Sequence, residues 1–214
     1  MANVFFKDFT PIIDFNFKNR PTHQESITYF TKFLENFSFF QKDDLIELEK
    51  YWSYCSYDRN KFIVTPGEVT EYLVFICKGA VRHFTEDKNG QHIINFTTDC
   101  NFILSLNSLK NQEKTIDGYV TSKDSHGLKI SYKNYQQLIK TRPAFEQFFD
   151  LFAEKERLLL LNRLTSFQSA DANERYLILL NEQPDVFDAF TMNDISNYLG
   201  INPETLSRLK KKNK

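Results

Sequence analysis

The C-terminal segment LGINPETLSRLKKKNK concentrates residue types that bind anions, because guanidinium and ammonium groups pair with phosphate and carboxylate oxygens. Asn202 followed by Pro203 is typical of a helix start, since Asn caps the first turn and Pro lacks the N–H that would need a partner there. Leu206 and Leu209 are spaced i, i+3 and therefore share one face. The sequence predicts a short helix with an apolar side and a basic side.

The preceding segment, TMNDISNYLG, predicts another helix that joins the first through a tight turn. Thr191 and Asp194 have the spacing of a capping box, and Gly200 can adopt the positive φ of a sharp turn. Apolar residues recur at helical spacing, at Ile195, Tyr198 and Leu199. Short helices joined by a glycine turn, with a basic outer face on the second, are typical of a DNA-binding helix-turn-helix.

The predicted DNA-binding residues lie on the outer face of the second helix, where this motif meets base edges and phosphates. They are Asn202, Pro203, Glu204, Thr205, Ser207, Arg208, Lys211 and Lys212. Two alternatives have the same local pattern. One is a helix hairpin with no role in DNA binding, and the other is a solvated basic helix end in which Lys is stabilised by the helix dipole.

The composition of the 214 residues excludes several classes of protein. The net charge is −1, so any nucleic-acid-binding surface must be local. Cys55, Cys77 and Cys100 are far apart and form no CxxC pair, which argues against a zinc site or a disulfide framework and is typical of a reducing cytosol. We find no signal peptide and no apolar run long enough to cross a bilayer. The sequence therefore predicts a cytoplasmic protein with no membrane partner.

Sequence motifs for catalysis or metal binding are not found, since there is no GxSxG, no P-loop and no HExxH. The acidic residues are scattered on amphipathic helices, where solvation is the default. We therefore predict no enzymatic activity, no catalytic residues and no metal. His83 and His92 flank an Asn-Gly turn but do not lie directly opposite each other, so surface or half-buried histidines are the better interpretation.

The hydrophobic period changes along the chain and predicts a β-rich region between two helical ones. From Lys61, short apolar runs predict strands that break at Gly79 and at Asn89-Gly90, and Asn-Gly between apolar runs is a strong hairpin signal. Further strands are predicted over 116–122 and 127–131. Helices are predicted over 24–37, over 43–52 and from Arg142 onward, with a stop before Pro184.

Several segments resemble, in order, the CRP/FNR family of bacterial transcription regulators. They are PGEVTEYLVFICKGAVRHFTEDKNGQHIINF, QEKTIDGYV, KISYKNYQQLIKTRP and ISNYLGINPETLSRLK. The resemblance runs from about Lys61 to Lys214 and leaves the Phe-rich N-terminus outside. It implies an α+β fold that has an N-terminal β-roll (a double-stranded β-helix, jelly-roll-like) with flanking helices, a long central dimerisation helix and a small C-terminal helix-turn-helix domain.

The resemblance also implies a domain organisation and a set of partners. The expected units are an N-terminal arm of unassigned role over 1–23, the β-roll sensor domain over 24–142, the central helix over 143–165 and the DNA-binding domain over 166–214. We expect the last to lack the β-hairpin wing of winged members, with the Lys run making phosphate contacts in its place. The expected partners are double-stranded DNA, RNA polymerase and a second copy of the chain, contacted through an apolar stripe from Phe145 to Leu164.

Family members that bind cyclic AMP hold the ribose with a Glu and the phosphate with an Arg, and this sequence departs from both. Ser105 stands at the position of the Glu, and Lys114 and Thr115 stand at the positions of the Arg and its neighbour. A Lys cannot reproduce the planar fork of an Arg, and a buried hydroxyl left without an acceptor costs about 1–3 kcal/mol. We therefore expect no cyclic AMP and no other cofactor. Two interpretations of Lys114 and Thr115 remain: they bind a different small anion, or they form a solvated loop end.

The sequence favours a dimeric DNA-binding transcription regulator with a degenerate cyclic-nucleotide pocket. The alternative is a ligand-binding or protein-interaction module on the same fold, without sequence-specific DNA binding. The two differ in whether the basic face is exposed and lies about 34 Å, one DNA turn, from its mate across a dimer.

Overall fold

The computed structural model describes residues 20–103 and 105–213, so residues 1–19 of the predicted N-terminal arm lie outside the described part. Within that part the chain is an α+β protein built on an antiparallel sheet, which confirms the predicted fold class. The strands are β1 (Ser53–Tyr57), β2 (Phe62–Val64), β3 (Tyr72–Asp87), β4 (Gly90–Thr97), β5 (Asn101–Ile103) and β6 (Asp117–Ser131). The sheet order is β1-β6-β3-β4, and β2 and β5 pair with β6 and β3.

The long strands β3 and β6 pair with each other along most of their length. Their register shifts between Ile76 and Val81 of β3. On the Ile76 side of the shift, β3 also pairs with β5 and β6 also pairs with β1. On the Val81 side, β3 pairs with β4 and β6 pairs with β2. Gly79 lies at this shift with a φ of 146°, and a Cβ there would collide with Ser125. The predicted break at Gly79 is therefore an irregularity inside β3, since a bulge bends a strand without ending its pairing.

The hairpin predicted at Asn89-Gly90 is confirmed, because Asp87 pairs with Gly90 across a tight turn that joins β3 to β4. The strands predicted over 116–122 and 127–131 are confirmed from Asp117 onward, but they are the two ends of one continuous strand, β6. The polar residues between them stay in the strand because the register shift opposite Gly79 absorbs the bend.

The helices are α1 (His23–Leu34), α2 (Lys42–Leu45), α3 (Leu106–Asn111), α4 (Tyr132–Thr141), α5 (Pro143–Ser169), α6 (Ala172–Glu182), α7 (Val186–Ala189), α8 (Met192–Leu199) and α9 (Pro203–Lys212). The predicted helix over 43–52 is wrong, because α2 is short and is followed by a 3-10 turn, Leu48–Lys50. Ile46 is 71% exposed whereas Leu48 and Trp52 are buried, so this segment lacks the continuous apolar face of a long helix.

Aromatic side chains form the main core between α1, the sheet and the first half of α5. The ring centroids of Phe30 and Phe75 lie 4.6 Å apart, and those of Phe75 and Phe102 lie 4.9 Å apart. Phe148 of α5 lies 5.5 Å from Phe102. Aromatic pairs of this kind contribute about 0.5–1.5 kcal/mol each beyond their buried area. The start of α5 is therefore fixed to the β-roll.

A second core joins the sheet to the C-terminal helices. The ring centroid of Phe96 on β4 lies 4.3 Å from that of Phe190 and 5.1 Å from that of Tyr198. Buried residues of the same cluster include Ile195, Leu199 and Leu206. The predicted helix-turn-helix segment therefore packs directly on strand β4.

Candidate functional site

Local signals predicted from the sequence form the two C-terminal helices. Thr191 caps α8, because its Oγ1 accepts the Asp194 N–H at 3.1 Å and the Asp194 carboxylate accepts the Thr191 N–H and O–H. Gly200 ends α8 at a φ of 66°. The turn leads to Asn202, whose Oδ1 accepts the Thr205 N–H at 2.8 Å at the start of α9. The predicted capping box, glycine turn and N-cap are confirmed.

Helix α9 has an apolar side toward the core and a charged side toward solvent. Leu206 is fully buried. Of the predicted DNA-binding residues, the exposed ones are Asn202, Pro203, Glu204, Arg208, Lys211 and Lys212, and the half-buried ones are Thr205 and Ser207. Arg208 Nη2 donates to Thr205 Oγ1 at 3.2 Å. Lys210 points elsewhere, since its Nζ lies 5.5 Å from the centroid of the Phe187 ring.

Ser105 and Thr115 come together in the β-roll, but Lys114 does not join them. Their hydroxyl oxygens are 3.1 Å apart, and both lie next to Oδ2 of Asp117, at 3.4 Å from Ser105 and 3.1 Å from Thr115. The other carboxylate oxygen, Oδ1, lies 2.8 Å from Nε2 of His83. Lys114 is exposed. Ser105 and Thr115 therefore contact the carboxylate of Asp117. No sequence motif identified Asp117.

The surroundings of Asp117 favour its charged form. The hydrogen bond with His83 is the main cause that lowers the pKa of Asp117, and it outweighs the opposing effect of burial. The ring of Tyr119 stacks on His83, with centroids 4.3 Å apart and an interplanar angle of 11°. An anion between Ser105 and Thr115 would lie against this negative charge, and like charges repel strongly where water is partly excluded. The arrangement therefore disfavours a small anion.

Helix α5 reaches the same strands through Glu156. Asn95, which pairs with His83 across β3 and β4, donates from Nδ2 to Glu156 Oε2 at 3.4 Å. Burial raises the pKa of Glu156 because the charged form loses hydration there, and attraction to Lys155 and His83 offsets this only in part. Glu156 and Asp117, two carboxyl groups near one histidine, thus have pKa shifts of opposite direction.

The two halves of α5 differ in burial. The first contains Phe145, Phe148, Phe149 and Phe152, each 2% exposed or less and part of the chain's own core. The prediction that the apolar stripe from Phe145 contacts a second subunit is therefore wrong for these residues, since a buried side chain offers no surface. Exposed apolar residues lie in the second half, which continues to Ser169: Leu160 (50%), Leu161 (44%), Leu164 (56%) and Phe167 (42%).

Polar side chains that no local pattern predicted attach the C-terminal helices to the β-roll. Arg82 of β3 donates to Asp194, and Asn197 bonds to the main chain of β4. Arg163 of α5 donates to main-chain carbonyls of both β4 and α8. Arg82 and Asp194 are 112 residues apart in sequence, so only the tertiary fold brings them together. The sequence feature that could have indicated these contacts is the pair of polar residues, Asp194 and Asn197, next to the apolar stripe of α8.

Among the residues that the structure describes, no group of three His, Cys, Asp or Glu side chains could hold a metal ion. His83 and His92 are not paired with each other across the β3–β4 hairpin. The cysteines are free and buried, and burial raises the pKa of Cys55 and Cys100 to about 12, so these thiols are protonated at neutral pH. Within residues 20–103 and 105–213, the helices are too short or too polar to cross a membrane.

Comparison with known proteins gives similar sequences but no matching family model. The chain is 27% identical over 182 residues to the cAMP-activated global transcriptional regulator CRP of Escherichia coli O6:H1, and the match covers 77% of this chain and 85% of that protein. The regulator of the same name from Salmonella typhimurium is 25% identical over 180 residues with the same coverage.

Solved structures also have a similar fold. FixK2 from Bradyrhizobium japonicum has a TM-score of 0.65 at 18% identity and covers 75% of this chain and 83% of that one. The c-di-GMP responsive global regulator CLP of Xanthomonas campestris has a TM-score of 0.63 at 16% identity, over 80% of this chain and 91% of that one. At these identities the structures show the fold alone. Together with the sequence relatives, they confirm the resemblance found in the segments from Lys61 onward.

Proposed function

We propose that this chain, a CRP/FNR-type regulator by sequence and fold, acts as a homodimer that binds double-stranded DNA through α9. The observation that carries the proposal is the two-sided helix: Leu206 is fully buried, while Glu204, Arg208, Lys211 and Lys212 are exposed after a tight turn. A helix presented in this way fits the major groove of DNA, which admits one α-helix.

The charged residues of α9 divide into base-reading and phosphate-binding positions. Glu204 and Arg208 lie on the first two turns, the part of a recognition helix that meets base edges. A Glu can accept from the amino group of cytosine, and an Arg can donate two hydrogen bonds to guanine. Lys211 and Lys212 lie farther along the helix and would meet phosphates, whose contacts raise affinity without specifying sequence. The proposed face therefore supplies both specificity and affinity.

The proposed dimer uses the second half of α5. Leu160, Leu164 and Phe167 follow one another at i, i+4 and i+7, so they form one exposed stripe beyond the last buried Phe. An exposed apolar stripe of this length on a helix is typical of an interface with another helix. Binding of a dimer to consecutive major grooves requires the two copies of α9 to lie about 34 Å apart, one turn of DNA. RNA polymerase remains a partner implied by the resemblance alone.

Activation by cyclic AMP is not part of the proposed function. The curated relatives are named as cAMP-activated, but Ser105 here replaces the ribose-binding Glu, and Lys114 is exposed. The Asp117 carboxylate lies beside Ser105 and Thr115, so a phosphate there would meet a negative charge instead of a guanidinium. We propose that Ser105, Thr115, Asp117 and His83 satisfy one another and that the regulator binds no cyclic nucleotide.

A salt titration with matched variants tests DNA binding. The wild-type protein selects a duplex from a random pool, and its binding to the selected and to a scrambled duplex is measured across salt concentrations. Arg208→Ala should cost about 1–3 kcal/mol on the selected duplex and relax the preference at one base position. Lys211→Ala combined with Lys212→Ala should weaken both duplexes alike and flatten the salt slope by about one per lost phosphate contact.

Lys210→Ala is the matched control for the single variants Lys211→Ala and Lys212→Ala, because each removes one positive charge from the same helix and the Lys210 side chain lies over Phe187. It should change the salt slope less than the substitutions at Lys211 and Lys212. The competing function is a ligand-binding or protein-interaction module without sequence-specific DNA binding. That function is supported if the wild type selects no duplex, or if Arg208→Ala and the double Lys variant behave alike on both duplexes.

A further inference from the structure

In the part of the chain that the structure describes, the free edge of β4 is covered by side chains of the helices instead of by another strand. β4 is last in the sheet order, so its outward N–H and C=O groups need partners from elsewhere. Asn197 of α8 supplies both an acceptor and a donor. Its Oδ1 accepts the Ile93 N–H at 2.7 Å, and its Nδ2 donates to the Gln91 carbonyl at 2.8 Å. This side-chain amide takes the place that a backbone amide would have in a neighbouring strand.

Arg163 of α5 binds the same edge of β4 and also binds α8, so it links the central helix to both elements. It donates to the carbonyls of Ile93 and Ile94 on β4 and, at 3.1 Å, to the carbonyl of Tyr198 on α8. Its guanidinium carbon also lies 4.1 Å from the centroid of the Tyr198 ring. The position of α8 therefore depends on both the central helix and the edge of the sheet.

Arg82 fixes the other end of α8. Its Nη1 donates to Asp194 Oδ1 at 2.8 Å, and the two side chains are only 28% and 10% exposed. The second oxygen of the same carboxylate accepts from Thr191 in the capping box. Because contacts hold α8 near both of its ends, the helix cannot rotate or tilt on β4 without breaking one of them.

We propose that the β3–β4 hairpin positions the recognition helix and that Arg82 and Asn197 are the positioning residues. The inference rests on the proposed DNA-binding function and identifies what sets the orientation of α9 relative to α5. With α8 docked, Glu204 and Arg208 of α9 are exposed, so DNA can reach the docked arrangement. A helix-turn-helix already held in place loses less orientational freedom on binding than one that moves freely, and its affinity is correspondingly higher.

Binding measurements on single variants test the positioning role. Arg82→Gln and Asn197→Ala should each bind the duplex selected by the wild type about tenfold more weakly, equivalent to about 1.4 kcal/mol. The salt slope should remain that of the wild type, because the phosphate contacts of α9 are unchanged. Arg82→Lys keeps the charge and should restore part of the affinity. The matched control is Arg20→Gln, which removes a surface ion pair with Asp58 and should leave the affinity unchanged.

Hydrogen exchange distinguishes a failure of this inference from a failure of the proposed function. The Ile93 amide should be protected in the free wild type and exchange about tenfold faster or more in Asn197→Ala, while protection elsewhere in the sheet shows that the variant folds. If this exchange rises but the affinity for the duplex does not fall, the positioning role is wrong and DNA binding stands. An Ile93 amide unprotected in the wild type would overturn the docking itself. A wild type that selects no duplex would overturn the proposed function, and the inference with it.

Discussion

The first half of α5 packs phenylalanines into its own β-roll, whereas the second half leaves leucines and a phenylalanine exposed. Glu156 lies between these regions and faces the polar cluster of the β-roll. Side chains buried within one chain stabilise it at any protein concentration, while exposed apolar side chains contribute only when a second molecule covers them. One continuous helix therefore combines an intramolecular function with a proposed intermolecular one.

The largest expected effect is in the first half of the helix. Phe148→Ala should lower the free energy of unfolding by about 3–5 kcal/mol, because the side chain is fully buried among aromatic rings and its loss leaves a cavity. Denaturant titrations at two protein concentrations should give the same loss. Phe167→Ala, at a Phe that is 42% exposed on the same helix, should cost clearly less. Equal losses at the two positions would remove the distinction between the halves.

The next effect concerns association through the second half. Leu164→Asp should weaken the proposed dimer about a hundredfold or more, because it would place an unpaired charge in an apolar interface. Sedimentation at micromolar concentration should show a dimer for the wild type and a monomer for the variant. Asn162→Asp introduces the same charge on nearly the opposite side of the helix and should leave the dimer intact. A monomeric wild type would contradict the proposed dimer.

A smaller effect is expected at the polar cluster beside α5. Asp117→Asn should destabilise the protein by about 1–3 kcal/mol at neutral pH, since the bonds to His83, Ser105 and Thr115 then lack a charged acceptor. The folded pKa of Asp117 lies below its unfolded value of about 3.9, so its stabilisation is present above that pH and is lost as pH falls through the folded pKa. As the pH decreases from 7 to 2, the free energy of unfolding should therefore fall less in the variant than in the wild type, as measured by denaturant titration.

Glu156→Gln should have a smaller effect of the opposite sign. The folded pKa of Glu156 lies above its unfolded value of about 4.3, so the wild type loses stability as pH rises from that value through the folded pKa. The variant should be more stable than the wild type at pH 7, by less than about 1 kcal/mol because the side chain is half-buried and partly screened, and equal to it at pH 4. A variant less stable at pH 7 would show that the charged form is needed for the contact with Asn95.

The smallest expected effect is that of cyclic AMP. Millimolar cyclic AMP should leave the melting temperature unchanged, because the Asp117 carboxylate lies beside Ser105 and Thr115, where the proposed function excludes a phosphate. A ligand at a hundredfold excess over its dissociation constant would add about 2.7 kcal/mol of stability and a visible shift. A shift of several degrees would mean that Lys114 reorganises to bind the nucleotide.

Features set by neighbouring residues were readable in the sequence, and features set by distant ones were not. Thr191, Gly200 and Asn202 act on helix ends within a few residues, so the capping box, the turn and the N-cap could be predicted from spacing. The replacement of a nucleotide-binding Glu by Ser105 remains a prediction from the resemblance. The Asp117–His83 contact joins positions 34 residues apart and has no local signature.

The apolar residues of α5 also show a feature that the sequence pattern does not determine, namely which of them are buried within the chain. Phe149 and Phe167 are about five full turns apart and lie on the same face of one helix, and spacing identifies a face without identifying what covers it. Phe149 is buried against Phe102 of the sheet and Tyr135 of α4, whereas Phe167 lies beyond the edge of that core. Burial of the first and exposure of the second therefore depend on the tertiary fold.

The core shared by β4 and the C-terminal helices has a consequence for how the chain unfolds. Phe84, Ile93 and Phe96 of the sheet are buried against side chains of α6 to α9, so neither part encloses its apolar residues by itself. Separation of the two would expose both surfaces to water at once. The hairpin and the helix-turn-helix should accordingly open together as one cooperative unit, and an isolated C-terminal fragment should remain partly unstructured and prone to aggregate.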